Sequence, residues 1–222
     1  MKYFHTNVAK LLYLAMKIRT DIITQVSNLC SFVNNPSKKN FQQLIRILEY
    51  LNGTVNYGIK FIGGGDMILI AYGDAAFMLH FDVISRGGIV LLLNGAVIYA
   101  RSSKQKHITK SSTEAELVTL DETAMVVIGV RKFLVSQGYE PGSVTIYQDN
   151  KSVISLIKAG KPNNLRTKHI SMKYFSIVEY IRDGLINVEW ICTEDMAADM
   201  LSKSLIGVDF EHNRNKFLIE IV

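Results

Sequence analysis

Residues 144–160, VTIYQDNKSVISLIKAG, change character halfway. The stretch begins at Val144 as an alternating apolar run, the period of a strand, and turns helical after Asp149, running to about Lys158 before Gly160-Lys161-Pro162 stops it. A strand that leads straight into a helix is a unit of an α/β sheet, and the strand ends of such sheets are where ligands gather. Asp149 stands at that junction. On this stretch alone it has two readings: a plain helix N-cap together with Asn150, or a carboxylate aimed at a ligand.

Working outward, the segments on either side repeat the strand and helix signals. MILIAY is a short buried strand that ends at Asp74, and GGIVLLLNGAVIYA splits at Asn94-Gly95 into a hairpin with strands at about Ile89–Leu93 and Ala96–Tyr99. A long helix is expected from about Ser112 to Gln137, stopped by Gly138. After the opening stretch come a helix from about His169 to Arg182, a fifth strand in LINVEWI and a last helix from Glu194 to Leu205. Three strands joined by a tight hairpin, then two entered through helices, describe a mixed sheet covered by helices. Before Gly63-Gly64-Gly65 the pattern is helical only, roughly Val8–Phe32 and Ser37–Leu51, joined by Asn34-Asn35-Pro36. The expected division is a helical segment over residues 1–62, an α/β domain over 66–206 and a tail over 207–222.

Composition narrows the class. A chain of 222 residues, 48% hydrophobic, is long enough for one sizeable core with a helical appendage, and is not a disordered tail. Its 25 Lys+Arg against 20 Asp+Glu favour an anionic partner without the density of a basic tail. Cys30 and Cys192 stand far apart with no histidine at ligand spacing, so neither a disulfide framework nor a zinc site is expected, and the setting is expected to be intracellular, cytoplasm and nucleus not being distinguished. The longest uncharged run is shorter than the ~20 residues of a spanning helix. Lys10 and Lys17 interrupt the apolar N-terminus, against a signal peptide, and no membrane partner is expected.

The carboxylates carry the chemistry. If the first and fourth strands are neighbours, Asp74 and Asp149 lie side by side at one end of the sheet, and Asp199, in EDMAADMLSK, is a third candidate. Each also has a bland reading, Asp74 as a turn residue and Asp199 as a solvated helix carboxylate. In KSSTEAELVTLDETAM, Ser111 and Glu114 fit a capping box, which leaves Glu116 over; it lies nearer than Glu114 to the apolar face of Leu117, Leu120, Ala124, Val127 and Ile128. Thr113 offers an alternative cap that would engage Glu116 instead. Carboxylates gathered at one place repel unless cations are present, and hard oxygen donors suit Mg²⁺ or Mn²⁺. Two such ions, roughly 3.5–4 Å apart, support phosphodiester cleavage.

SSTEAEL, YQDN, RTKHI and TEDMAADMLSKSL, in this order, resemble the ribonuclease H domain of copia-type retrotransposon polyproteins. LLYLAMKIRTDII, NNPSK and ILEYLNGTVNYGIKF are similar to the end of the reverse transcriptase that precedes it. The resemblance reaches to about Leu205. It implies a ribonuclease H-like five-stranded mixed sheet of order 3-2-1-4-5, with the metal-binding and catalytic quartet Asp74, Glu116, Asp149 and Asp199. It also implies hydrolysis of the RNA strand of an RNA–DNA hybrid with two Mg²⁺ ions, the remainder of a reverse transcriptase as a partner, and no small-molecule cofactor. No polymerase activity is expected, because the paired aspartates of a polymerase site are absent from the chain.

Two basic runs are candidate phosphate contacts, Lys104, Lys106, His107 and Lys110 before the long helix and Arg166, Lys168 and His169 within RTKHI. The first reads equally as a solvated loop. Departures from the family pattern are Ala75-Ala76-Phe77 after Asp74, the lack of a histidine between the fifth strand and Asp199, and Thr20 at a position where proline is common. None removes a ligand of the quartet. The alternative to an enzyme is an inactive or truncated remnant that keeps the fold and binds nucleic acid or a polymerase partner.

Overall fold

The computed structural model describes residues 2–63, 66–77, 84–106, 108–159 and 168–221. The N-terminal part forms α1 (Lys2–Lys17), a single 3-10 turn (Thr20–Ile22), α2 (Ile23–Cys30) and α3 (Lys38–Gly53). The periodicity of Val8–Phe32 suggests one helix, but the structure breaks it at Ile18-Arg19. In a continuous helix Arg19 and Asp21 would point about 200° apart. The break lets the Arg19 guanidinium clasp the Asp21 carboxylate, with Nη2–Oδ2 at 2.8 Å and Nε–Oδ1 at 3.1 Å. α3 starts at a closed capping box, in which Ser37 Oγ accepts from the Asn40 N–H and Asn40 Oδ1 accepts from the Ser37 N–H.

After α3 the chain makes β1 (Tyr57–Gly58), then β2 (Leu69–Ala76), β3 (Arg86–Leu93) and β4 (Ala96–Lys104). β2 runs two residues beyond Asp74, so Asp74 lies inside the strand and not at its end, paired with Gly88. The β3–β4 turn is the expected one, Asn94 at φ +50° and Gly95 at φ +81°, the left-handed pair that a two-residue hairpin needs. α4 (Ser112–Ser136) follows, then β5 (Val144–Gln148), α5 (Lys151–Lys158), α6 (Lys168–Arg182) and β6 (Ile186–Trp190). The cap of α5 is Asn150, whose Oδ1 accepts from the N–H groups of Ser152 and Val153. The N-cap reading of Asp149 is thereby corrected, and its carboxylate is left for other work.

The helix expected from Glu194 to Leu205 is not one helix. A 3-10 turn (Thr193–Asp195) leads through an extended Met196 to the one-turn α7 (Asp199–Ser202). Met196, Ala197 and Ala198 are all buried. The extended backbone at Met196 brings the Ala198 carbonyl and Leu201 down onto β3 at Gly88. Then come α8 (Gly207–Arg214), in the span read as a tail, and β7 (Ile219–Glu220), which pairs antiparallel with β1.

The sheet order is β4-β3-β2-β5-β6, which in chain order within this sheet is 3-2-1-4-5. β3 is antiparallel to β2 and β4, while β5 is parallel to β2 and β6. One face packs on α4 and α6, where Leu117, Leu120, Ala124 and Val127 meet Leu69, Ala71, Leu91 and Ile146. On the other face the apolar sides of α1 and α2, including Phe4, Val8, Leu11 and Val26, cover Val90, Leu92, Val97 and Ala100 of β3 and β4, together with Met200, Leu201, Phe217 and Leu218. The N-terminal helices are therefore part of the packing of the sheet. Both cysteines are free, and among the described residues no helix is long and apolar enough to cross a membrane.

Candidate active site

The parallel pairing of β2 with β5 brings their ends to one place. Tyr72 is opposite Tyr147, so Asp74 and Asp149 lie two residues further along each chain at the same end of the sheet. Glu116 comes from the second turn of α4, which crosses that end; its Oε2 accepts from the Ala75 N–H at 3.1 Å and from Gln148 Nε2 at 3.4 Å. Oxygens of Asp74, Glu116 and Asp149 all lie within 4.8 Å of one another. Asp74 is 1% exposed and Glu116 5%. Asp149 is more open, with Oδ2 accepting from the Thr193 hydroxyl at 3.0 Å and its backbone carbonyl from Trp190 Nε1 at 3.1 Å.

Asp199 belongs to the same place but not to the group of three. Its Oδ1 is held by Lys203 Nζ at 2.6 Å, and that ammonium is 3.6 Å from Asp74 Oδ2. The Ser202 hydroxyl donates to the same Asp74 oxygen. Gly88 makes this approach possible. A Cβ there would lie 2.8 Å from the Ala198 carbonyl oxygen and 2.7 Å from Leu201 Cβ, so only glycine lets the α7 segment press onto β3 next to Asp74.

The electrostatics follow from burial of like charges. Burial, then the Asp74 and Asp149 carboxylates, push Glu116 up to about 9 against the hydrogen bond from Gln148. Asp74 is pushed up to about 6 by burial, opposed by Lys203 and reinforced by Asp199. Burial disfavours the Lys203 ammonium, but Asp74 and Asp199 outweigh it and hold the group at about 12. Such an arrangement, hard oxygens with more negative charge than the protein neutralises, can hold a divalent cation.

The remaining sequence candidates divide. Glu114 works at the helix start: its N–H donates to Ser111 Oγ, and its Oε2 accepts from the Lys110 N–H, one residue earlier than a closed box on Ser111. Lys104 and Lys106 are exposed, and Lys104 pairs with Arg86 at the same end of the sheet as Asp74. His107, Arg166 and the side chains of Lys168 and His169 lie outside the described residues. Sequence reasoning missed Gln148, Thr193, Ser202 and Lys203. Only Lys203 left a signal, its spacing of four residues from Asp199 on a helical turn.

A five-stranded mixed sheet of this order, helices on both faces and carboxylates gathered toward one end of its two central strands, is the ribonuclease H-like fold. No protein-family model matches the chain. Over 209 residues it is 34% identical to the retrovirus-related Pol polyprotein from transposon TNT 1-94 of Nicotiana tabacum, a match covering 94% of this chain and 16% of that protein. It is likewise 34% identical over 211 residues to the corresponding polyprotein from transposon RE1 of Arabidopsis thaliana, covering 94% and 14%. The chain is a homologue of the Pol polyproteins of copia-type retrotransposons, and spans 14–16% of the length of these two relatives.

Among solved structures, the foamy viral protease-reverse transcriptase dRH in complex with double-stranded DNA shares the fold with a TM-score of 0.57 at 15% identity, over 87% of this chain and 32% of that one. The foamy viral protease-reverse transcriptase in complex with an RNA/DNA hybrid matches with a TM-score of 0.50 at 14% identity, over 85% and 24%.

Proposed function

We propose that this chain is a metal-dependent endonuclease of ribonuclease H type, which hydrolyses the RNA strand of an RNA–DNA hybrid as part of a copia-type Pol polyprotein. The observation that carries the reading is the meeting of Asp74, Glu116 and Asp149 from three separate elements within 4.8 Å. Buried like charges cost stability, and a cation offsets that cost.

Mg²⁺, or Mn²⁺ in its place, fits the all-oxygen donor set, with Asp74, Glu116 and Asp149 as its holders and Asp199 beside them. When bound, such ions supply an activated water and charge stabilisation for the leaving oxygen. The chain's own residues position the ligands. Thr193 and Trp190 fix Asp149 through its carboxylate and carbonyl, and the Ala75 N–H and Gln148 fix Glu116. Lys104 and Lys106 are assigned to the phosphate backbone, as are Arg166, Lys168 and His169 of the RTKHI segment. Residues 1–62 are assigned to the end of a reverse transcriptase and 66–206 to the nuclease, so the remainder of a polymerase is the expected protein partner.

The test is cleavage of a hybrid labelled on its RNA strand, with Mg²⁺, with Mn²⁺ and with a chelator. Cleavage of the RNA strand with either ion and none with the chelator is the expected result. A folded chain that binds the hybrid but cuts nothing with either ion would overturn the enzyme reading in favour of a non-catalytic remnant.

A further inference from the structure

The ammonium of Lys203 lies between two carboxylates of the site. Its Nζ is 2.6 Å from Asp199 Oδ1 and 3.6 Å from Asp74 Oδ2, and its side chain is 35% exposed. Asp74 is the residue shared between this pair and the group of three. On the far side, Glu116 and Asp149 receive hydrogen bonds from Ala75, Gln148 and Thr193 but, among the described residues, form no ion pair. The site is thus divided: among the described residues the protein supplies a cation to one half and none to the other.

We propose that Lys203 is a built-in cation for the Asp74–Asp199 half, so that the free protein takes one divalent ion, at Asp74, Glu116 and Asp149, and excludes a second. This rests on the metal reading above. Two features support it. A compact ammonium at hydrogen-bond distance from Asp199 blocks the approach of a second ion to that carboxylate and repels it electrostatically. The four-carbon stem begins one residue after Ser202, whose hydroxyl is bound to Asp74, so the ammonium is tethered where it faces both oxygens while the stem remains free to swing out.

The experiment counts Mn²⁺ bound to the full chain without nucleic acid, from the loss of the free-ion electron paramagnetic resonance signal. Wild type is expected to bind one ion. Lys203→Met is expected to bind two, the first about tenfold more tightly or better, since an opposite charge has been removed from within a few ångströms of the ligands. Lys203→Arg, which keeps the charge, is expected to stay at one. Should Lys203→Met not fold without metal, Lys203→Gln, which can still donate to Asp199, carries the same expectation. Equal counts and affinities in wild type and the uncharged variants, two ions in wild type, or two in Lys203→Arg would each overturn the role of Lys203 and leave the metal reading standing. Binding to none of the proteins would overturn both.

Discussion

This chain buries charge in two places, and the two are built differently. Between the N-terminal helices, Arg19 and Asp21 face each other with side chains 6% and 0% exposed, and both are tied further to Tyr50 and Thr54. Tyr50 donates its hydroxyl to Asp21 Oδ2 at 2.6 Å, and Arg19 donates from Nη1 to the Thr54 carbonyl and from Nη2 to the Thr54 hydroxyl. Burial first, and then the Asp21 carboxylate, push the Tyr50 hydroxyl up to about 12, so it stays a donor. At the sheet end, four carboxylates share one ammonium among the described residues. A balanced cluster holds elements together; an unbalanced one is held in place by the rest of the fold and waits for charge from outside.

The contrast is most exposed at Asp149, where the largest effect is expected. Asp149→Asn should reduce hybrid cleavage to background while leaving metal-free stability unchanged or higher, because one of the repelling charges is gone. Loss of the fold with the activity, seen by circular dichroism, would make the unbalanced cluster a structural one. Glu116→Gln should lower the cleavage rate by orders of magnitude, with the fold kept in chelator and its stability at neutral pH unchanged or higher.

The balanced cluster should behave in the opposite way. Arg19→Met leaves Asp21 buried without its partner, and a loss of about 3–5 kcal/mol is expected in chemical denaturation, with cleavage per folded molecule preserved. A smaller loss, about 0.5–2 kcal/mol, is expected for Glu114→Ala, which damages the start of α4 only. If Glu114→Ala abolishes cleavage and Glu116→Gln does not, the roles of the two glutamates are reversed.

The gentlest test is pH. In the folded, metal-free protein Glu116 holds its proton to about 9, whereas its ordinary value is 4.5, so between those values the folded state binds a proton that the unfolded chain releases. Asp74 acts in the same direction between 3.8 and about 6. Both contributions are complete on the acid side and are lost as pH rises, so the Tm in chelator should fall from about pH 5 to about pH 9. In Glu116→Gln the decline above about pH 6 should vanish. A Tm that rises over this range would show that the carboxylates are neutralised by the protein after all.

How much of this was legible in the sequence depended on the range of the interactions involved. The hairpin at Asn94-Gly95 and the ends of α3 and α4 rest on contacts within a few residues, and local pattern suffices for them. The break at Arg19 was not legible, because the Arg19–Asp21 clasp that it allows is completed by Tyr50, 29 residues from Asp21, and Thr54, 35 residues from Arg19. Nor was the extended path through Met196, which depends on the absence of a side chain at Gly88 on a distant strand. The strand order came through resemblance and not through the segments themselves. For the site, Glu116 was separable from Glu114 by helix phase. Thr193 and Gln148 left no trace, since a threonine or a glutamine next to a strand end reads as ordinary until Asp149 and Glu116 are placed beside it.

A ribosome making this chain delivers the two cores in different orders. The apolar residues that α4 and α6 pack against lie between Leu69 and Val188, and that face can close as soon as β6 has emerged. Phe4, Val8 and Leu11 leave the ribosome before that face is made, yet Met200, Leu201, Phe217 and Leu218, which complete their core, come after it, and β7 closes on β1 later still. At ordinary elongation rates the interval is roughly ten to forty seconds. During it the stripe of α1 is expected to be accessible to protease in chains stalled before residue 196, and protected once residue 221 is out. Protection of α1 in the shorter chains would show that the first helices need only β3 and β4. Otherwise the stripe of α1, made well before the residues that complete its core, stays open longest, and any factor that shields it must act before residue 221 has emerged.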